Sequence, residues 1–248
     1  MNLQRIRSWR SLAEMLGTSR WWRPVQNEDT QVEIAQTLII MRPAELKRVL
    51  GEESLVVCGS SRGGTSIIAF VLLRLGYHLG DRLGLYNHED EEIVAAMKNP
   101  RQLTAIIANR NRRLKRWGFK VPDAIHHVDW LAKSLRNPVF LVIFRNPVAI
   151  AKTIMTREAN SDSPSHDLSK AIHHGLRYMV SGTRVLTTRA PSILIDVDAA
   201  RGSPEQLVRD LARLFAPDTP EDTIAAIGRD IGTAGYKRVF RGRRGASH

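Results

Sequence analysis

Ser54-Leu-Val-Val-Cys58-Gly59-Ser-Ser-Arg62-Gly63-Gly64-Thr65-Ser66-Ile-Ile-Ala-Phe-Val-Leu-Leu-Arg-Leu75-Gly76 is the stretch on which the fold turns. Residues 54–58 are a short β-branched run, which predicts a strand. Residues 59–64 hold three glycines and predict a tight loop. Residues 65–75 are almost wholly apolar and end at Gly76, which predicts a buried helix with a glycine stop. Strand, glycine loop and buried helix in that order are the first half of a parallel βα unit.

The same grammar continues on both sides. Residues 138–144 (Pro-Val-Phe-Leu-Val-Ile-Phe) form an unbroken apolar run, as expected of a central parallel strand covered on both faces. Arg145-Asn146-Pro147 turns the chain at its end, and a helix over 148–157 follows. Residues 119–121 and 192–197 read as two further strands. Helices are predicted over 91–98, 101–117, 125–135, 167–188 and 203–215, the last with Ser203 and Pro204 at its start. The basic run Arg110, Arg112, Arg113, Lys115 and Arg116 reads as a solvated helix face. Residues 160–166 are rich in Ser, Asp and Pro and read as a loop. Residues 31–50 read as a helix in which Pro43 starts or breaks a turn. The predicted architecture is α/β, a central parallel sheet flanked by helices. It divides into an N-terminal helical extension (1–50) and a main domain with a basic tail (51–248).

Composition bounds what such a domain does. The chain has 248 residues, 37 Lys and Arg against 25 Asp and Glu, and a formal net charge of +12. Its basic residues are 29 Arg and only 8 Lys. Arginine presents a planar fork that matches phosphate and sulfate oxygens, so an anionic partner is expected. Aromatic residues make up 6% and are not interleaved with basic ones, which argues against a base-stacking surface and hence against nucleic acid. No apolar run approaches the roughly 18 residues of a membrane span. The single Cys58 allows neither an internal disulfide nor a cysteine metal site. His126-His127 and His173-His174 are adjacent pairs whose rings diverge on a helix, so no metal is expected there. Residues 1–16 lack the continuous apolar segment of a secretory leader, and the expected location is the cytoplasm. Leu3, Ile6, Trp9 and Leu16 nevertheless recur at helical spacing among Arg5, Arg7 and Arg10. Residues 1–25 therefore read either as a helix packed on the domain or as a peripheral contact with an anionic membrane.

The glycine loop is where chemistry is expected. Backbone N–H groups of such a loop and the positive end of the following helix seat a phosphate-like anion. Thr65 and Ser66 add hydroxyl donors, and Arg62 supplies a fixed charge. The pattern approaches the nucleotide-triphosphate loop G-x-x-x-x-G-K-[ST] but has Thr65 where that loop has lysine. Arg145 at the end of its strand and the glycine loop should face one crevice, because sites of open α/β sheets form at the carboxyl ends of strands.

Together these two segments resemble the sulfotransferases that use 3′-phosphoadenosine 5′-phosphosulfate (PAPS). Residues 61–66 (Ser-Arg-Gly-Gly-Thr-Ser) are similar to that family's 5′-phosphosulfate loop, with Gly63 in place of a common Ser. Residues 145–153 are similar to its 3′-phosphate motif, an Arg followed eight residues later by Ser, here Thr153. The resemblance implies a P-loop-like sulfotransferase fold of the bacterial type and a metal-independent, in-line transfer of a sulfuryl group from PAPS. The acceptor would be a hydroxyl or amine, on a small molecule, a carbohydrate or a lipid-linked glycan. It implies donor contacts from Arg62, Gly63, Gly64, Thr65, Ser66, Arg145 and Thr153, with Lys237 and Arg238 of the basic tail in addition. Glu89, or alternatively His88, would be the general base. Arg62 and Lys120 would neutralise charge on the departing phosphate. The alternatives from the residues alone are a small-molecule kinase of the P-loop type and a non-catalytic basic protein that binds nucleic acid or membranes.

Overall fold

A computed structural model describes residues 32–158 and 167–235. In chain order these carry β1 (Val32–Ile34), β2 (Leu38–Met41), α1 (Pro43–Val49), β3 (Ser54–Gly59), α2 (Thr65–Arg74), α3 (Glu91–Ala96), α4 (Pro100–Arg113), β4 (Trp117–Lys120), a 3-10 turn (Pro122–His127), α5 (Val128–Ser134), β5 (Pro138–Phe144), α6 (Pro147–Glu158), α7 (Leu168–Gly182), a second 3-10 turn (Thr183–Thr187), β6 (Ser192–Asp196), α8 (Val197–Gly202), α9 (Pro204–Phe215) and α10 (Glu221–Gly232). None of the described helices is long and apolar enough to cross a membrane. The readings of residues 1–25 as an amphipathic helix, of 160–166 as a loop, and of Lys237 and Arg238 as donor contacts lie outside the described residues.

The strands form one six-stranded sheet in the order β1-β2-β6-β5-β3-β4. The four strands from β6 to the β4 edge run parallel: β3 pairs with β4 and β5, and β5 with β6. Successive residues of β3 point to opposite faces. Leu55 and Val57 join a core with Phe70, Leu211 and Ile227, under α2, α9 and α10. Val56 and Cys58 join a second core with Trp117, Phe140 and Tyr178, under α3 to α5 and α7. Both faces are covered, which is why Leu55–Cys58 of β3 and the whole of β5 are apolar in succession rather than at alternate positions.

Two expectations are corrected. Residues 31–50 do not form a single helix, and residues 32–50 are not an extension beside the sheet. They supply β1, β2 and the short α1, and β2 pairs antiparallel with β6 from Leu38↔Ile195 to Met41↔Ser192. Pro43 sits in the first turn of α1, where its missing N–H costs nothing. Arg110 does not lie on a solvated face. Its side chain is buried against Asp90 and reaches Glu92 at 2.7 Å, which ties α4 to the start of α3.

Candidate anion-binding site

The carboxyl ends of β3, β4, β5 and β6 open into one cavity of ≈ 1450 Å³. Its floor is the loop between β3 and α2. The Gly63 N–H donates to the Ser60 carbonyl at 2.8 Å, closing a turn in which a Cβ at Gly63 would meet that carbonyl oxygen at 2.6 Å. The turn leaves no room for a side chain at this place. Gly64 takes φ +102°, a region open to glycine, and a Cβ there would meet Val197 at 2.8 Å. Helix α2 starts at Thr65, so the first N–H groups of a helix, which have no acceptor within it, border the cavity. Ser61, Arg62, Thr65 and Ser66 line it.

One side chain joins this loop to the end of β5. Arg145 Nη1 donates to the Arg62 carbonyl at 2.7 Å and to Thr153 Oγ1 at 3.2 Å. The eight-residue spacing brings Thr153 back beside Arg145 after two turns of α6. Asp198, in the first turn of α8, accepts from the Asn146 N–H at 2.8 Å and lies 3.6 Å from Arg145 Nε. The guanidinium is therefore held on three sides with its fork beside the cavity.

The opposite wall pairs Lys120 with Glu89. Lys120 ends β4 with its side chain 2% exposed, and its Nζ donates to Glu89 Oε1 at 2.7 Å. Burial and the charge of Arg62 hold the lysine below its ordinary range, while Glu89 opposes them. Glu89 is fixed by a tight turn: the Gly84 N–H donates to the Glu89 carbonyl at 2.8 Å, and the Glu89 N–H to Asn87 Oδ1 at 3.1 Å. Asp90 follows it and caps α3, accepting from the Glu92 and Ile93 N–H groups. The Arg110 ion pair thus anchors the residue next to Glu89.

The structure brings Arg62, Gly64, Thr65, Ser66, Glu89, Lys120, Arg145 and Thr153 to one cavity. His88 is placed elsewhere. It is fully buried, with its ring stacked on Phe70 at 6.4 Å, and does not line the cavity. The sequence reading passed over Lys152 and Arg201, which also line it. Lys152 was signalled by its place beside Thr153. Arg201 carries no local signal, since only the return of α8 to the cavity gives it a role. Among the described lining residues the cations are Arg62, Lys120, Arg145, Lys152 and Arg201, against the carboxylates Glu89 and Asp198. Such an excess of positive charge in a concave wall focuses anions. No group of three metal-ligating side chains occurs among the described residues.

No protein-family model and no curated protein sequence matches the chain. Among solved structures it is similar to a sulfotransferase from Mycobacterium avium, at 12% identity over 75% of this chain and 69% of that one, with a TM-score of 0.46. It is similar to a mouse sulfotransferase complexed with PAP, at 12% identity over 82% and 75%, TM-score 0.46. A sulfotransferase from Alicyclobacillus acidocaldarius matches at 14% identity over 75% and 98%, TM-score 0.43.

Proposed function

We propose that the chain is a sulfotransferase that moves a sulfuryl group from PAPS to a hydroxyl or amine acceptor. The observation that carries this reading is the single guanidinium of Arg145, bonded at once to the carbonyl of loop residue Arg62 and to the hydroxyl of Thr153. It makes two anion-binding segments into one cradle. A donor with negative charge at two separated positions suits that cradle better than a single phosphate does.

The residues fit the donor. PAPS supplies the sulfuryl group already activated as a mixed anhydride with phosphate. The loop N–H groups, Arg62, Thr65 and Ser66 hold the 5′ end, and Arg145 with Thr153 holds the 3′-phosphate. Lys152 and Arg201 add charge at the rim. Lys120 stands where an ammonium offsets the charge that grows on the departing phosphate oxygen. Glu89 takes the acceptor proton as the acceptor oxygen or nitrogen bonds to sulfur and the sulfur–phosphate-oxygen bond breaks. In the ligand-free chain the two act as each other's counterion, which keeps the buried ammonium charged and the carboxylate aimed at the cavity. Every group needed is a side chain or backbone N–H, and the reading requires no metal. The acceptor is a small molecule or glycan, the site of action the cytoplasm, and residues 1–25 a peripheral contact if the acceptor is held at a membrane.

Calorimetry on two nucleotides tests the assignment. Adenosine 3′,5′-bisphosphate should bind more tightly than adenosine 5′-phosphate, and Arg145→Ala should remove about 1.5–3 kcal/mol from the first alone, as a charge-assisted bond is worth. Equal losses for both nucleotides would overturn the donor assignment.

A further inference from the structure

Behind the loop runs a set of side chains that the transfer chemistry does not use. Ser61 lines the cavity, and its Oγ lies 2.9 Å from His174 Nε2 on α7. The His174 ring packs on Tyr178 at 4.7 Å, and Tyr178 donates its hydroxyl hydrogen to Asp123. Asp123 belongs to the 3-10 turn that begins two residues after Lys120. His126 of the same turn also packs on Tyr178, at 5.0 Å. One helix thus ties the anion loop to the segment behind Lys120.

A serine hydroxyl has one hydrogen to give, whereas an imidazole nitrogen either accepts or donates according to its proton. With Nε2 bare, Ser61 donates to His174 and its hydrogen points away from the cavity. With a hydrogen on Nε2, Ser61 accepts from the ring and its own hydrogen is released toward the loop. An anion in the loop is stabilised by the second arrangement and by any positive charge on the ring. We propose that His174 is a positioning residue for the loop anion: it gains a proton when the anion enters and, by donating from Nε2, directs the Ser61 hydroxyl hydrogen at that anion. The inference rests on the proposed function only in taking the natural anion to be the 5′ end of PAPS.

The surroundings of His174 set the sign. Burial first, then Arg177 on its own helix and Arg62 in the loop, hold it below the ordinary histidine range. A backbone hydrogen bond with Ser61 and the charge of Asp123 act the other way. Tyr178 is its titratable neighbour through ring contact, and His126 meets the Tyr178 ring rather than His174. Helix α6 meets α7 beside Gly175 through Pro147 and Ile150, which bring no charge. An entering anion offsets Arg62 and Arg177, so the bound form holds the proton more tightly than the free form. Binding then takes up protons and strengthens as pH falls.

Sulfate is the probe, because it keeps its charge between pH 5 and 8 while phosphates do not. Calorimetry of the full chain in two buffers of different ionisation enthalpy should show proton uptake on sulfate binding near pH 6.5. Affinity should fall about three- to ten-fold from low to high pH, because a proton that His174 holds about ten-fold more tightly in the complex strengthens sulfate binding by the same factor. His174→Gln should abolish uptake and flatten the profile yet keep part of the affinity, since an amide also donates to Ser61. Ser61→Ala should weaken sulfate binding and flatten its profile. His126→Gln should leave the profile unchanged. No uptake by the wild-type chain, whether because His174 is silent or because sulfate does not bind, overturns the proposal, as does a slope that survives in His174→Gln. Variants that fail to fold do not rescue it, since the wild-type uptake decides. Uptake with sulfate together with equal affinities for the two adenosine nucleotides would sink the sulfotransferase reading and leave His174 standing. Selective binding of the bisphosphate without any uptake on sulfate would do the reverse.

Discussion

The two ends of the sheet use the same residue types to opposite ends. Below the amino ends of the strands, Glu53 is fully buried and accepts from Arg116 Nε at 3.0 Å and from the Tyr77 hydroxyl. Arg116 also donates to Tyr77 and to the Phe215 carbonyl, and Arg136 donates to the carbonyls of Asn111, Leu114 and Lys115. These charges are consumed by carboxylate and backbone, so they fasten loops to the core. Above the carboxyl ends, Arg62, Lys120, Arg145, Lys152 and Arg201 line a cavity. An arginine at a strand end is therefore not by itself a signal of function; what its neighbours leave for a ligand is.

Substitutions at the two ends should separate function from stability. The largest effect is expected at the cavity. Glu89→Gln should lower turnover by ~10²–10⁴-fold, the contribution of a general base, with donor affinity little changed. Steady-state kinetics with saturating donor reads this, and full turnover in the variant would take the base role from Glu89. Next comes the closed end. Glu53→Ala should cost about 3 kcal/mol of stability, the lower part of the range for breaking a buried pair, because Arg116 is 43% exposed and can turn to water. Denaturant unfolding checks it, with nucleotide affinity unchanged in the folded variant. A smaller effect belongs to Thr153→Ala, about 0.5–1.5 kcal/mol of affinity for adenosine 3′,5′-bisphosphate and none for adenosine 5′-phosphate. If this loss instead appeared as lost stability, the hydroxyl would belong with the fastening bonds. Addition of a chelator should change nothing; loss of activity would revive a phosphoryl-transfer reading, which needs magnesium.

How much the sequence reveals follows from how each feature is encoded. Strands β3, β5 and β6 are continuous apolar runs beside glycine or proline, and α2 ends at a glycine, so each is readable in a short window. Strands β1 and β2 have three and four residues and no period long enough to tell strand from helix. Arg110 shares its run with Arg112 and Arg113, and nothing local shows that Asp90, twenty positions earlier, has reached back to meet it. Arg145 and Thr153 were legible because a short turn and the start of α6 bring residues eight apart together. Ser61 and His174 lie 113 positions apart and have no common motif. Local encoding is readable, and tertiary encoding is not.

The place of β2 in the sheet bears on how the chain is made. During synthesis β3, β4 and β5 can pair as soon as residue 144 has emerged, since they are neighbours in the order β5-β3-β4. β2 has only β1 for a neighbour until β6 arrives, roughly 155 residues later, and such distant pairings form slowly. The first two strands of the described chain are thus among the last to be seated, and the flank of β5 that β6 will cover stays open in the meantime. A chain halted on the ribosome before residue 192 should already protect the backbone of β3 from proteolysis while β2 is still cut.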